Sequence, residues 1–187
     1  LGLTSHDVVS RVRRALSEKR VGHAGTLDPN ASGVLVVGIG LATKLLGLLT
    51  LDRKGYVADV SFGTRTSTDD ADGQVVATAP VPEELRDAEF ARAACAKLAG
   101  TVDQLPPAVS AISVEGKRAY QLVREGKTPE LAARRVHIYD ATFLAVHTPS
   151  ADEAPIWTVA FDVSKGTYIR SIARDLGQEL GTEAHIS

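Results

Sequence analysis

Between Trp157 and Leu180 the repeat of the apolar residues changes from two to that of a helix, and this switch constrains the fold more than any other stretch. Trp157, Val159, Phe161 and Val163 alternate with Thr158, Ala160 and Asp162, the pattern of a strand with one buried face. After the turn Ser164-Lys165-Gly166-Thr167, the residues Ile169, Ile172, Ala173, Leu176 and Leu180 recur at the spacing of one helix face. A half-buried strand and an amphipathic helix both need a partner layer. The segment therefore predicts a sheet with helices packed on it.

The rest of the chain supplies further elements of both kinds. Thr4 and Asp7 stand ahead of Val8, Val9, Val12 and Leu16, a capping-box-like start for a helix over 5–17. Residues 34–37 read as a strand, followed by Gly38-Ile39-Gly40 and a helical run through Leu41, Leu45, Leu46 and Leu49. Tyr56 to Phe62 alternates as a half-buried strand, 63–73 is a polar loop, and 74–79 is a further strand. Asp87 opens a helix with Phe90, Ala91, Ala94 and Leu98 on one face, closed by Gly100. Gln104-Leu105-Pro106-Pro107 cannot continue a helix. Beyond it, 109–114 reads as a strand, Tyr120, Leu122 and Val123 mark a short helix, 136–147 supplies one or two strands, and 151–155 is a loop. Strands outnumber helices without βαβ alternation, which predicts an α+β fold.

Composition narrows the function classes. The chain of 187 residues is 44% hydrophobic and 24% charged, enough for one sizeable core and one main domain. Its single cysteine, Cys95, lies in an apolar-periodic run and is expected to be buried and inert. A reducing, cytoplasmic setting fits, and no apolar run approaches the roughly 20 residues that span a bilayer. The chain lacks methionine, so it is read as a piece of a longer gene product. Net charge is −2, but 11–20 carries five basic residues against one Glu. Local patches of this kind, not overall pI, make phosphate contacts, and Arg11, Arg14, Lys19 and Arg20 are candidates for an RNA backbone, with Lys44 added. A second basic cluster holds Lys117, Arg118, Arg124, Lys127, Arg134 and Arg135 against Glu115, Glu125 and Glu130.

Two stretches carry chemistry. Gly22-His23-Ala24-Gly25-Thr26-Leu27-Asp28-Pro29-Asn30-Ala31-Ser32-Gly33-Val34-Leu35 gathers glycines, a histidine and a proline around one carboxylate. Glycines let the backbone turn sharply, and Pro29 biases Asp28 away from helical dihedrals, so one acid is presented in a fixed direction. The bland alternative is a turn in which Asp28 caps its own backbone. At the second stretch, Lys165 and Arg170 fall around a helix N-terminus, which disfavours cations, so both call for a negative partner. Two other patterns fail. Gly38-Ile39-Gly40 lacks the third glycine of a dinucleotide fingerprint, Thr43 standing there, and the nearest acid at the right distance, Asp59, lies within a strand. The loop ending Asp70-Ala71-Asp72-Gly73 has Thr68 and Ala79 where a calcium loop needs its first and last ligands.

The run GHAGTLDPNASGVL resembles the catalytic-aspartate motif of the tRNA pseudouridine-55 synthases, the TruB family. Gly2-Leu3-Thr4-Ser5 is similar to the end of that family's KPxGxTS opening segment, whose Lys-Pro lies outside the chain. Lys54-Gly55-Tyr56 and the polar loop after it resemble the tyrosine strand and its loop. LPPAVSAI from Leu105 resembles LPPxxSAxK, with Ser113 where the family often has Lys. Ser164 to Arg170 matches SKGTYIR. The resemblance implies an α+β pseudouridine synthase fold, a mixed and mostly antiparallel central sheet flanked by helices. The chain would be one catalytic domain over 1–187, truncated at both ends and lacking a small C-terminal RNA-binding domain.

By the same resemblance, the activity is isomerisation of the T-loop uridine at tRNA position 55, without metal or cofactor, by a monomer. Asp28 is the catalytic residue, attacking or deprotonating the ribose, and Arg170 is its ionic partner. Tyr56 stacks on the target base, Tyr168 neighbours it, His23 wedges the T loop, and Thr26 and Lys165 join the substrate-binding set. Two rival functions are a glycoside or nucleoside hydrolase, for which no second acid stands in a comparable loop, and a non-catalytic tRNA-binding or RNA-folding protein.

Overall fold

The computed structural model describes residues 2–49, 53–114, 116–148, 150 and 153–187. The chain divides into two compact units, Leu1–Asp52 and Arg53–Ser187.

In the first unit, helix α1 (Ser5–Leu16) starts at the expected cap. Asp7 N donates to Thr4 Oγ1 at 3.1 Å and Thr4 N donates to Asp7 Oδ2 at 2.9 Å, so two otherwise unpaired amides are satisfied reciprocally. Strands β1 (Val21–Ala24) and β2 (Val36–Ile39) form an antiparallel pair in which Gly22 faces Gly38. A Cβ on either glycine would stand 3.0 Å from the side chain of Leu46, which explains why this pair carries none. The expected strand over 34–37 thus begins later, and β1 overlaps the start of the glycine-rich stretch around Asp28. The leucine run is a 3-10 helix, Gly40–Leu45, that starts from a left-handed Gly40 and leaves Leu41 and Leu45 exposed. Its helical spacing predicted an α-helix, but no face of it is buried.

The second unit is built on a five-stranded sheet. In chain order its strands include β3 (Arg53–Phe62), then the hairpin β4 (Thr64–Thr66) and β5 (Val75–Thr78), which sits inside the segment expected to be loop and strand. Helix α2 (Ala88–Lys97) follows, with Asp87 Oδ1 accepting from Phe90 N at 2.7 Å. Gly100 does not close that helix; it opens β6 (Gly100–Gln104), a strand whose polar sequence shows no alternation. The strand expected over 109–114 shrinks to β7 (Ser113–Val114), paired with β8 (Lys117–Arg118), because the carbonyls of Ser110 and Ile112 accept from the first turn of α3 (Ala119–Arg124). Strand β9 (Arg134–His147) is one long strand; β10 (Ile156–Ser164), α4 (Ile169–Glu179) and β11 (Ala184–Ile186) complete the unit. Residues 151 and 152 of the expected loop lie outside the described residues.

The sheet order is β11-β3-β10-β9-β6, and every ladder in it is antiparallel. One parallel bridge joins Asp70 to Ile186. The α+β class expected from the periodicities is the one observed. Trp157, Val159, Phe161 and Val163 are all buried, against Ala91, Ala94 and Cys95 of α2 and Ile172, Ala173 and Leu176 of α4. Trp157 is the centre of this core. Its indole N–H donates to the Leu85 carbonyl at 2.7 Å, and Phe62 and Phe143 meet it edge-on, with ring centres 4.7 and 6.2 Å away. Cys95 is buried as expected, and burial pushes its thiol up to about 11.

Helix α4 is bound to the sheet through a glycine. A Cβ on Gly177 would sit 2.7 Å from both the Cβ and the amide nitrogen of Ala184, so β11 lies directly against the helix backbone. Alanine gains about 1 kcal/mol over glycine in a helix interior, yet Gly177→Ala must push β11 aside. Overpacking of this kind costs about 1–3 kcal/mol, so the variant is expected to be less stable in chemical denaturation despite its better helix former. A gain in stability would show that β11 is not held against α4.

Candidate active site

The motif run of the first unit is a strand, a turn and an exposed loop. His23 lies on β1 opposite Val37, half-buried, with Nδ1 against the Gly25 carbonyl. Gly25 has a φ of 84°, a left-handed turn that a side chain would resist, and it leads the chain out of the ladder. The following loop is tied to the start of the chain. Leu27 N donates to Ser5 Oγ at 3.0 Å, and Gly2 N donates to the Pro29 carbonyl at 2.8 Å. Ala31 N closes a turn on the Asp28 carbonyl at 2.9 Å. Asp28 is therefore gripped through both sequence neighbours, and its side chain is exposed, as is that of Thr26. Periodicity gave no sign of the Gly2 and Ser5 tethers.

The basic residues of this unit divide by role. Arg13 Nη2 donates to the Val21 carbonyl at 2.8 Å and so holds α1 to β1, whereas Arg11, Arg14, Lys19 and Arg20 are exposed. Ser10, Arg13, Arg14, Ser17, Glu18 and Lys19 line a hollow of about 540 Å³ beside them. Lys44 is exposed in the last turn of the 3-10 helix. The second cluster is different. Lys117 and Lys127 both pair with Glu125, at 2.8 and 3.2 Å, and hold its carboxyl below the usual range. Arg118 donates to the Ala111 carbonyl and Arg135 pairs with Asp103. Part of that positive charge is thus answered locally, by Glu125 and Asp103.

In the second unit the candidates gather at the β10–α4 junction. Lys165 is exposed in the turn, and Tyr168 is the residue before the helix, half-buried. Its backbone is clasped by one side chain: Tyr168 N donates to Gln104 Oε1 at 2.8 Å, and Gln104 Nε2 donates back to the Tyr168 carbonyl at 3.1 Å. Tyr56 lies half-buried on the core side of β3, near the sheet end where Arg53 pairs with Ser164. Arg170 is buried. Its Nη1 reaches the Thr68 carbonyl at 3.0 Å, the Val109 carbonyl at 3.2 Å and Asp70 Oδ2 at 3.3 Å. Next along the same helix face, Arg174 Nη1 meets Asp69 Oδ2 at 3.0 Å and Nη2 donates to the Leu105 carbonyl at 2.8 Å.

A negative partner of Arg170 is thus Asp70, and Asp69 beside it pairs with Arg174, both in the loop whose acids had only been tested as calcium ligands. Burial raises the Asp69 carboxyl above its ordinary value, and Arg174 is the largest influence opposing it. Asp69, Asp70, Gln104 and Arg174 were missed as site residues. The available signal was two adjacent acids in one loop and two arginines four apart on one helix face. Asp28, His23, Thr26 and Lys44 belong to the first unit; Tyr56, Lys165, Tyr168 and Arg170 belong to the second. Among the described residues no group of His, Cys, Asp and Glu could hold a metal ion, and no helix is long and apolar enough to cross a membrane.

The chain has close relatives of known family. The chain is 52% identical to tRNA pseudouridine synthase B of Mycobacteroides abscessus and 49% identical to that of Mycobacterium tuberculosis, each over 186 residues. It is covered completely in both matches and spans 61% of each relative's length. Among solved structures, it resembles a chain of a Cbf5-Nop10-Gar1 complex, with a TM-score of 0.69 and 29% identity over all of this chain and 44% of the other. A chain of an H/ACA RNP bound to a substrate RNA containing 2'-deoxyuridine gives 0.66 and 26%, over all of this chain and 42% of that one. Residues 13–169 match the family model described as TruB family pseudouridylate synthase (N terminal domain), a span that includes Asp28, Tyr56 and the β10–α4 junction, and the chain belongs to that family.

Proposed function

We propose that this chain is the catalytic part of a tRNA pseudouridine synthase that converts the T-loop uridine at position 55 in the cytoplasm, its two units acting as one catalytic domain. The observation that carries the reading is the intact GHAGTLDPNASGVL run within the matched family span, in a chain about half identical to enzymes named tRNA pseudouridine synthase B. In this isomerisation the bond from uracil N1 to ribose C1′ breaks and one from C5 to C1′ forms. The proton on C5 leaves and N1 gains one. The change is redox-neutral, so a positioned carboxylate and groups that hold the freed base suffice.

Asp28 supplies that carboxylate, either adding to the ribose or removing a proton from it, and its exposure on a tethered loop gives a nucleotide access. Arg170 supplies the cation that answers the carboxylate during the reaction. A base inside a folded loop must leave its stack to be reached, and aromatic faces are how proteins hold such a base, the role assigned to Tyr56 with Tyr168 beside it. His23 wedges the T loop open, Thr26 and Lys165 contact the nucleotide, and Arg11, Arg14, Lys19, Arg20 and Lys44 meet the RNA backbone.

Two measurements test this reading. Asp28→Asn keeps the shape and removes the charge, so single-turnover conversion of a T-arm RNA should fall by about 10²–10⁴-fold or more while RNA affinity persists. A near wild-type rate would reduce the motif to a turn. A wild-type protein that binds the RNA without converting it would instead favour a non-catalytic binder. Replacing Arg11 and Arg14 with Gln should weaken RNA binding and lower the slope of log affinity against log salt by roughly one unit per lost phosphate contact. An unchanged slope would move the RNA surface off α1.

A further inference from the structure

We propose that the Asp69–Arg174 ion pair is a positioning latch that sets the guanidinium of Arg170, an inference that rests on Arg170 serving the reaction. Three observations on different atoms support it. Asp69 has a φ of 57°, one of two non-glycine residues with positive φ among those described, so its backbone is in a conformation that most side chains resist. It is also buried, with 7% of its surface exposed, and its carboxylate is spent on Arg174. A buried acid in this uncommon conformation is held there by its surroundings.

The second observation is what Arg174 holds. One guanidinium bridges the carboxylate of Asp69 and the carbonyl of Leu105, and Ser171 Oγ donates to the same carbonyl at 2.8 Å. The third is where the acceptors of Arg170 lie. Thr68 and Asp70 flank Asp69 directly, and Val109 belongs to the same Pro-rich segment as Leu105. Arg170 and Arg174 are four residues apart on one helix face. Both of these segments, which bind Arg170, are therefore also clamped by Arg174.

The backbone of Asp69 is anchored separately, with its amide on the Thr66 carbonyl and its carbonyl accepting from Ile186 N, both at 3.2 Å. Those bonds hold the path of the loop; the ion pair holds its angle to α4. Without Arg174 the buried carboxylate would lose the main influence opposing its desolvation and would have to turn toward water or take up a proton. Either outcome shifts the Thr68 carbonyl and the Asp70 carboxylate beside it.

The test compares Asp69→Asn, Arg174→Lys and the Asp69→Asn/Arg174→Gln double variant with Arg170→Lys, in single-turnover conversion of a T-arm RNA. Asparagine tolerates the left-handed conformation, so Asp69→Asn removes the charge with little change of backbone. The latch predicts a rate constant lowered by about 10- to 100-fold, the cost of a small misplacement, with reaction amplitude and RNA affinity unchanged. It predicts a smaller loss for Arg174→Lys, and a double variant no slower than the slower single. A purely structural pair would lower the amplitude and melting temperature while leaving the rate constant of the folded fraction intact, and that result overturns the latch. If one variant does not fold, the other decides. Should Arg170→Lys lose its rate while the latch variants keep theirs, the latch is wrong and the role of Arg170 stands; if Arg170→Lys also keeps its rate, both fall.

Discussion

Two guanidinium groups on one face of α4, those of Arg170 and Arg174, hold together three segments of the second unit that resemble family motifs. An arginine cannot shed its charge, so burying it near a helix N-terminus, where the dipole repels cations, is unfavourable unless acceptors converge on it. Here they do. Asp69 and Asp70 supply negative charge, with Asp175 also paired to Arg174, and the carbonyls of Thr68, Leu105 and Val109 add further acceptors. The polar loop, the Leu105–Val109 segment and the SKGTYIR turn are distant in sequence, and the two side chains bring them to one place. Gln104 adds a further clasp on the backbone of Tyr168.

That arrangement needs α4 to be immovable, and the core provides this. Ile172, Ala173 and Leu176 lie on the side of α4 that meets β3, β10 and α2, around the fully buried Trp157. Gly177 lets β11 approach the helix backbone closely, and β11 in turn receives Asp69 through the amide of Ile186. The opposite face of the sheet is solvated and polar: Arg53 pairs with Asp162 and lies over the Tyr139 ring, and Thr158 donates to Asp59 at 2.6 Å. One face thus makes the core while the other remains in water, as the alternation along β10 and β3 requires.

What could be read from the sequence follows from how each element is stabilised. The capping box of α1 and the helices α2 and α4 are local devices or long periodic faces, and they appear where the residues said they would. Strand β10 likewise announces itself through four alternating apolar residues. Short strands do not. Val21–Ala24 carries a glycine and a histidine, Gly100–Gln104 buries little besides Gln104, and Ala184–Ile186 is too short to show a period; each exists because a neighbour supplies the ladder. The same limit applies to the site. Asp28 and Arg170 stand in motifs long enough to be noticed, but the bond from Arg174 to Asp69 spans more than half the chain, and no local pattern encodes it. Its trace was two adjacent acids and two arginines on one helix face, features that solvated surfaces also show.

Removal of the C5 hydrogen from the proposed uridine is the direct sign of the proposed activity. With tRNA carrying tritium at C5 of its uridines, tritium release by the wild-type protein should stop after a single uridine per tRNA, and replacing the uridine at position 55 with another base should abolish it. Release that continues at other uridines, or none at all under conditions where the tRNA is bound, would contradict the assignment.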